Sequence, residues 1–228
     1  MQMPTARNVI FTDGSSLGNP GPGGYGAILL FCEGICTEFG GSEPHTTSNA
    51  MELLGAVVAL RAVRQKDQHT AVYSDSSYLV NNANTSLSRW ARNGWMTLEG
   101  KPIANQEKWQ ALFEILKDFT KVDFHHVSGH AGLLGNERCD LIARGFAEGK
   151  RIQLYSGPTP NHPDAKTIND WFENFAPYYL SFLDGKLLKH TTWPECEARV
   201  KAKKGAKFKK IKTKSEEADT LKNWGARF

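Results

Sequence analysis

Three short apolar runs separated by turn signals, then a stretch of helical period, then one more strand, limit this chain to a mixed sheet covered by helices. Residues 8–12 (NVIFT) are β-branched and aromatic and are stopped by Asp13-Gly14. The run GNPGPGG at 18–24 is too rich in glycine and proline for regular structure and reads as a turn. Residues 25–31 and 35–40 read as two further strands, with Glu33-Gly34 as their hairpin turn. From Thr46 the period changes: Thr47 or Ser48 caps a helix on which Leu53, Val57, Leu60 and Val63 share one face. A strand at 71–74 (AVYS) follows and ends at Asp75. A strand, a crossover helix and a second strand make the first and last of these parallel.

Further along, 76–83 and 85–92 read as short helices and 106–118 as a longer one. VDFHHV at 122–127 is a fifth strand, and 136–149 a helix ending at Gly149. The order predicts an α/β domain over residues 1–150, with a five-stranded mixed sheet flanked by helices. Residues 151–175 read as a linker, because YSGPTPNHPDAKT holds three prolines. Residues 176–228 then form a small α+β domain. YYLSFL with a DGK turn predicts a hairpin, TWPECEARVK a helix, AKFKKIK a strand and SEEADTLKNW a last helix.

Charge separates the two parts. From Trp171 to Phe228 the net charge is +6 and the rest carries −2, with nine basic residues and no acid in Arg199–Lys214. A basic end on a near-neutral body predicts a polyanion partner, although a charge run is also an ordinary solvated surface. No run approaches 18 apolar residues, and the N-terminal residues lack the charged and apolar regions of a secretory signal, so a cytoplasmic protein with no membrane partner is expected. Cys32, Cys36, Cys139 and Cys196 form no CxxC pair and read as buried thiols.

Four acids stand at the ends of elements. Asp13 and Asp75 follow parallel strands whose ends can be neighbours in a mixed sheet, while Glu52 and Asp140 read as lying in the first turns of helices. Brought together they would repel unless divalent cations neutralised them, and oxygen-only ligands suit Mg²⁺ or Mn²⁺ rather than zinc. Spacing alone leaves a second reading open, since the helix macrodipole also favours acids at helix starts.

The stretches FTDGSSLGNPGPGGYGAIL, TTSNAMELLGAVVAL, YSDSSYLV and SGHAGLLGNERCDLIAR, in that order across residues 8–149, resemble the motifs of type 1 ribonucleases H. The resemblance implies the ribonuclease H-like sheet. It also implies an endonuclease that hydrolyses the RNA strand of RNA–DNA hybrids with two Mg²⁺ ions (Mn²⁺ as an alternative), leaving 5′-phosphate and 3′-hydroxyl ends. It assigns the catalytic and metal-binding carboxylates to Asp13, Glu52, Asp75 and Asp140. His130 falls on the catalytic-loop histidine, which assists proton transfer or product release, and Asn136 on a polar residue that holds this loop. His125 and His126 lie in a predicted strand and read as core or surface residues.

Choosing RNA requires groups beside consecutive 2′-hydroxyls. By resemblance these are Gly14, Ser15, Asn19, Ser48 and Asn49. Thr47 and Asn105 match a pocket for a DNA-strand phosphate, in which His45 stands where relatives often carry arginine. Residues 86–105 resemble a substrate-handling protrusion, with Trp90 and Trp95 placed for deoxyriboses and Arg89 and Arg92 for phosphates; Trp109 reads as core. Residues 178–222 are similar to the small hybrid-binding domain also found in viroplasmin. There Trp193 and Phe208 match aromatics that pack on DNA sugars, and Lys207, Lys209 and Lys210 match phosphate contacts. Tyr178 and Tyr179 read as strand residues of the fold. A monomer is expected. Two other readings remain: a catalytically silent hybrid-binding protein, and a related nuclease or integrase-type transferase, since a fold does not fix a function.

Overall fold

The computed structural model describes residues 8–31, 33–129, 133–165, 167, 169–172, 178–211 and 214–226, the side chains of 214, 215 and 218 excepted. Strands β1 (Asn8–Ser16), β2 (Gly21–Leu30) and β3 (Ile35–Thr46) form an antiparallel meander. Helix α1 (Ser48–Ala62) then crosses to β4 (Thr70–Ser74), which pairs parallel with β1. Helices α2 (Ser77–Thr85), α3 (Leu87–Arg92) and α4 (Gln106–Leu116) lead to β5 (Val122–His126), parallel to β4, and α5 (Leu134–Ala147) follows.

Two strand readings are corrected. The first strand does not stop at Asp13-Gly14 but runs on to Ser16, because β2 keeps pairing with it: Asp13 faces Gly26 and Ser15 faces Gly24. Four residues of the glycine-proline run, 21–24, accordingly belong to β2 rather than to a turn. Their job is close approach. A Cβ on Gly26 would meet the Cys139 carbonyl oxygen at 2.3 Å, and one on Gly24 the Ala143 oxygen at 2.4 Å, so α5 lies directly on β2.

The sheet has six strands rather than five, in the order β5-β4-β1-β2-β3-β6. The sixth, β6 (Ser156–Pro158), comes from within the segment read as a linker and pairs antiparallel with β3. That segment is no free tether among its described residues. Ala165 and Trp171 are fully buried in the core beneath α5, with Phe11, Ile28 and Tyr73. Its prolines mark irregular backbone, and the hydrophobic effect on Trp171 still seats it. The opposite face of the sheet packs under α1–α4 around Ile10, Leu29, Leu53, Leu60, Val72 and Trp109; Trp109 is core, as expected.

The C-terminal elements make a separate three-stranded sheet, β8-β7-β9. Strands β7 (Tyr178–Leu183) and β8 (Lys186–His190) are joined through Asp184 and Gly185, both at positive φ as a tight hairpin turn requires. Helix α6 (Trp193–Val200) starts in a capping box between Thr192 and Glu195, and β9 (Lys207–Ile211) pairs with β7 before α7 (Lys214–Trp224). Tyr178, Leu180 and Ile211 form a small core backed by Leu221 and Trp224, which bears out Tyr178 as a residue of the fold. Cys36, Cys139 and Cys196 are buried free thiols; Cys32 lies outside the described residues.

Candidate active site

Register brings the first two acids together. Phe11 pairs with Tyr73 across β1 and β4, so two residues on, Asp13, still within β1, stands beside Asp75, which follows the last residue of β4. Helix α5 supplies the third. Gly26 faces Asp13, and the Cys139 carbonyl occupies the space where a side chain on Gly26 would be, so Asp140 arrives over Asp13. Helix α1 supplies the fourth from the opposite face. A Cβ on Gly14 would meet the Glu52 nitrogen at 2.2 Å, so the missing side chain is what lets Glu52 come up beside the strand. The Thr47 hydroxyl accepts from Ala50 N (3.2 Å) and sets where α1 begins.

The electrostatics record this convergence. Burial first, then the charges of Asp75, Asp140 and Glu52, push the Asp13 carboxyl well above the usual range; the Gly14 N–H, 2.7 Å from Oδ1, opposes them. Burial and the charge of Asp75 also raise Glu52, against a hydrogen bond donated by the Ser76 hydroxyl. Asn136 Nδ2 donates to Asp75 Oδ2 at 3.1 Å, and Arg144 pairs with Asp140 one turn along α5. Ser76 and Arg144 were not singled out in the sequence. The i, i+4 spacing of Asp140 and Arg144 is the signal that would have found the second.

Among the described residues, no three of these side chains close on one point where an ion would sit. Glu52 is engaged by Ser76 and Asp140 by Arg144. The donor chemistry nevertheless fits a hard divalent cation: four carboxylates converge, and Asp13 feels the other three as like charge.

His130 lies outside the described residues. Among the described residues, Gly129 packs so that a Cβ there would meet Asp75 Oδ2 at 2.7 Å, and Asn136 holds the same carboxylate. His126 is an exposed surface residue at the strand end, its Nε2 3.1 Å from the Asp75 backbone carbonyl oxygen.

Of the remaining candidates, Gly14 and Ser15 lie on β1 beside Asp13, and Asn19 is exposed in the turn that follows. Ser48 and Asn49 open α1, with Asn49 exposed, as is His45 before it. Asn105, at a φ of 57°, precedes α4 and donates to the Tyr78 hydroxyl at 3.1 Å. Trp90 and Trp95 are half-buried, edge-on to Trp109 and Phe113, so their rings first serve the packing of the protrusion. Trp193, the first residue of α6, stands apart from this group against the small sheet, near Tyr179 (5.5 Å between centroids) and Phe208 (5.1 Å), and Phe208 is 52% exposed. Lys207, Lys209 and Lys210 are exposed on the same strand as Phe208, and the Lys210 ammonium lies 5.9 Å from the Tyr179 ring.

Known proteins share this body. Residues 5–148 match the family model described as RNase H. A ribonuclease H of Thermosynechococcus vestitus is 46% identical over 153 residues, which are 66% of this chain and 95% of that protein. One from Mesorhizobium japonicum is 43% identical over 158 residues, 69% of this chain and 88% of its own length. Among solved structures, LC9-RNase H1, a type 1 RNase H with the type 2 active-site motif, superposes with a TM-score of 0.58 at 29% identity, covering 68% of this chain and 80% of that one. Residues 149–228 lie outside the family match. A mixed sheet in which β1, the end of β4, α1 and α5 deliver four acids to one place, within a sequence match that spans all four, leaves one assignment: the chain belongs to the ribonuclease H family of metal-dependent nucleases.

Proposed function

We propose that this protein hydrolyses the RNA strand of RNA–DNA hybrids as an endonuclease, leaving 5′-phosphate and 3′-hydroxyl ends. The convergence of Asp13, Asp75, Asp140 and Glu52 on one end of the sheet carries this reading. These four residues would hold two Mg²⁺ ions, which supply charge for an in-line attack of water on the phosphodiester. The Ser76 hydroxyl bonds to Glu52, and the Arg144 charge offsets part of the mutual repulsion at Asp140. Asn136 fixes Asp75 from the loop side, and His130 takes part in proton transfer or product release beside the scissile phosphate.

Selection of RNA falls to Gly14, Ser15, Asn19, Ser48 and Asn49, which flank the carboxylates on β1 and α1. Thr47 and Asn105 receive a DNA-strand phosphate. Both already make structural bonds, Thr47 as the cap of α1 and Asn105 to Tyr78, so each side chain is held in place before substrate arrives. Trp90 and Trp95 shape the protrusion that meets deoxyriboses. On the small sheet, the cluster of Trp193, Tyr179 and Phe208 with Lys207, Lys209 and Lys210 gives stacking surface and phosphate contacts, and works as a second hybrid-binding site. The reading includes a monomeric, cytoplasmic enzyme. No helix among the described residues is long and apolar enough to cross a membrane.

One assay tests it. With Mg²⁺ and labelled RNA–DNA hybrid, double-stranded RNA and double-stranded DNA, only the RNA of the hybrid is cut. Tight binding with intact hybrid would make the protein a silent binding module, and cutting or joining of DNA would make it a different nuclease or a transferase.

A further inference from the structure

Helix α5 carries Asp140 but has no side-chain cap at its start, so other contacts must fix its place on the sheet. Two residues before Asp140, the Arg138 guanidinium is buried and makes a two-pronged bond to Glu38 of β3, Nε to Oε1 at 2.7 Å and Nη2 to Oε2 at 2.8 Å. The Glu38 side chain is fully buried and accepts two further bonds, both from the segment past the family match: Tyr155 N at 2.9 Å and His162 Nε2 at 3.1 Å. Asp164 N donates to His162 Nδ1 at 3.1 Å, which leaves Nε2 to carry the proton that bonds Glu38. Arg138 also donates to the Gln153 carbonyl at 3.2 Å. One carboxylate thus ties together β3, α5 and residues 151–162.

The segment then runs back under the strand ends. Trp171, with no exposed surface, meets the His162 ring at 4.6 Å between centroids, and Phe172 packs at 5.2 Å from Phe11 and 5.1 Å from Tyr73. Phe11 and Tyr73 each precede a site carboxylate by two residues, on the same face of their strands. Helix α5 lies so close on β2, through Gly26, that a lateral shift of the helix cannot be absorbed by loose packing and must move Asp140.

We propose that the described residues of 151–172 form a strap belonging to the catalytic unit, in which Glu38 and His162 are positioning residues that seat α5 and so hold Asp140 against Asp13. The proposal rests on the reading of Asp140 as a metal-binding carboxylate. It places the functional end of the catalytic unit at Phe172, and leaves five residues, 173–177, before the first strand of the small sheet.

The test uses the full chain. His162→Leu removes the bond to Glu38, whereas His162→Gln keeps an N–H donor near the same place. His162→Leu should speed amide hydrogen exchange across α5 and raise the Mg²⁺ concentration for half-maximal cleavage by roughly tenfold, the usual range for a group that supports a metal ligand. Hybrid KM should move less than about twofold, since the strap touches no substrate-facing residue, and His162→Gln should restore most of both effects. A lower melting temperature with α5 exchange and Mg²⁺ dependence unchanged would reduce the strap to mere stabilisation and overturn the proposal. Should His162→Leu not fold, the unaltered protein decides. Amides of 155–157 must exchange in the same slow class as α5, and rapid exchange there sinks the idea. Asp140→Asn, run alongside, separates the two readings: an unchanged Mg²⁺ dependence would remove Asp140 as a ligand while the exchange data still judge the strap.

Discussion

Replacing Gly14 by alanine should disable the site without touching a carboxylate. The new methyl group would start 2.2 Å from the Glu52 nitrogen, 2.7 Å from the Met51 carbonyl carbon and 2.8 Å from the Ser48 oxygen. All three are backbone atoms of α1, so no side chain can swing aside. Reaching even the 3.0 Å below which real Cβ contacts essentially never fall requires α1 and β1 to part by about 0.8 Å at this point. Overpacking of this kind costs about 1–3 kcal/mol, and a displacement near 1 Å of a positioned catalytic group costs about 100-fold in rate. Gly14→Ala should therefore lower kcat by roughly 100-fold, with a fall in melting temperature of roughly 2–12 °C from the packing cost. The assays are steady-state cleavage of labelled hybrid at saturating Mg²⁺ and thermal unfolding of the same preparation. A variant with kcat within about twofold of the parent would refute the claim that contact at Gly14 sets the position of Glu52.

Other outcomes follow from the same geometry. Asp75→Asn should abolish cleavage and spare hybrid binding; substantial Mg²⁺-dependent cleavage by that variant would count against its role. Asp13 is raised by burial and by three neighbouring acids, so the folded metal-free protein holds that proton to higher pH than the unfolded chain does. Stability without metal should accordingly fall as pH rises from the ordinary carboxylate range through the raised one. Asp13→Asn should remove that loss and raise the metal-free melting temperature at pH 7, checked by thermal scans at several pH values. Glu38 has the opposite sign. Burial would raise it, but the hydrogen bonds from Arg138 and His162 and the Arg138 charge bring it down to about 2, so its contribution is present above about pH 4.5 and is lost toward pH 2. In Glu38→Gln the acid limb of the stability curve should flatten, and the protein should lose about 3–5 kcal/mol at pH 7 because Arg138 stays buried without its charge partner. Trp193→Ala with Phe208→Ala should raise hybrid KM several-fold, more at high salt, and leave kcat near the parent value, since stacking on an exposed base or sugar contributes about 1–3 kcal/mol. A fall in kcat instead would move this cluster into the catalytic machinery.

The sequence by itself determined the strand and helix series through residue 149 and the hairpin at Asp184-Gly185, because each is written in local period and turn chemistry, but it set three of the four acids too near element ends: Asp13 lies within β1, and Glu52 and Asp140 lie beyond the first turns of α1 and α5. Even so, the acids by spacing alone admitted the macrodipole explanation, and the motif resemblance was needed to tie them together. Tertiary structure decided the rest. Strand β1 outruns its Asp-Gly stop because β2 pairs with it, and a proline-rich stretch becomes a sixth strand and a strap because Trp171 and the Glu38 carboxylate give it something to bury against. Glu38 meets Arg138 across 100 residues and His162 across 124, a separation at which no local pattern survives. The same holds for Glu52, turned onto Ser76 24 residues away. Which polar side chains face one another in a buried space depends on how whole elements pack, and that is settled by the burial of the core rather than by any residue's immediate neighbours.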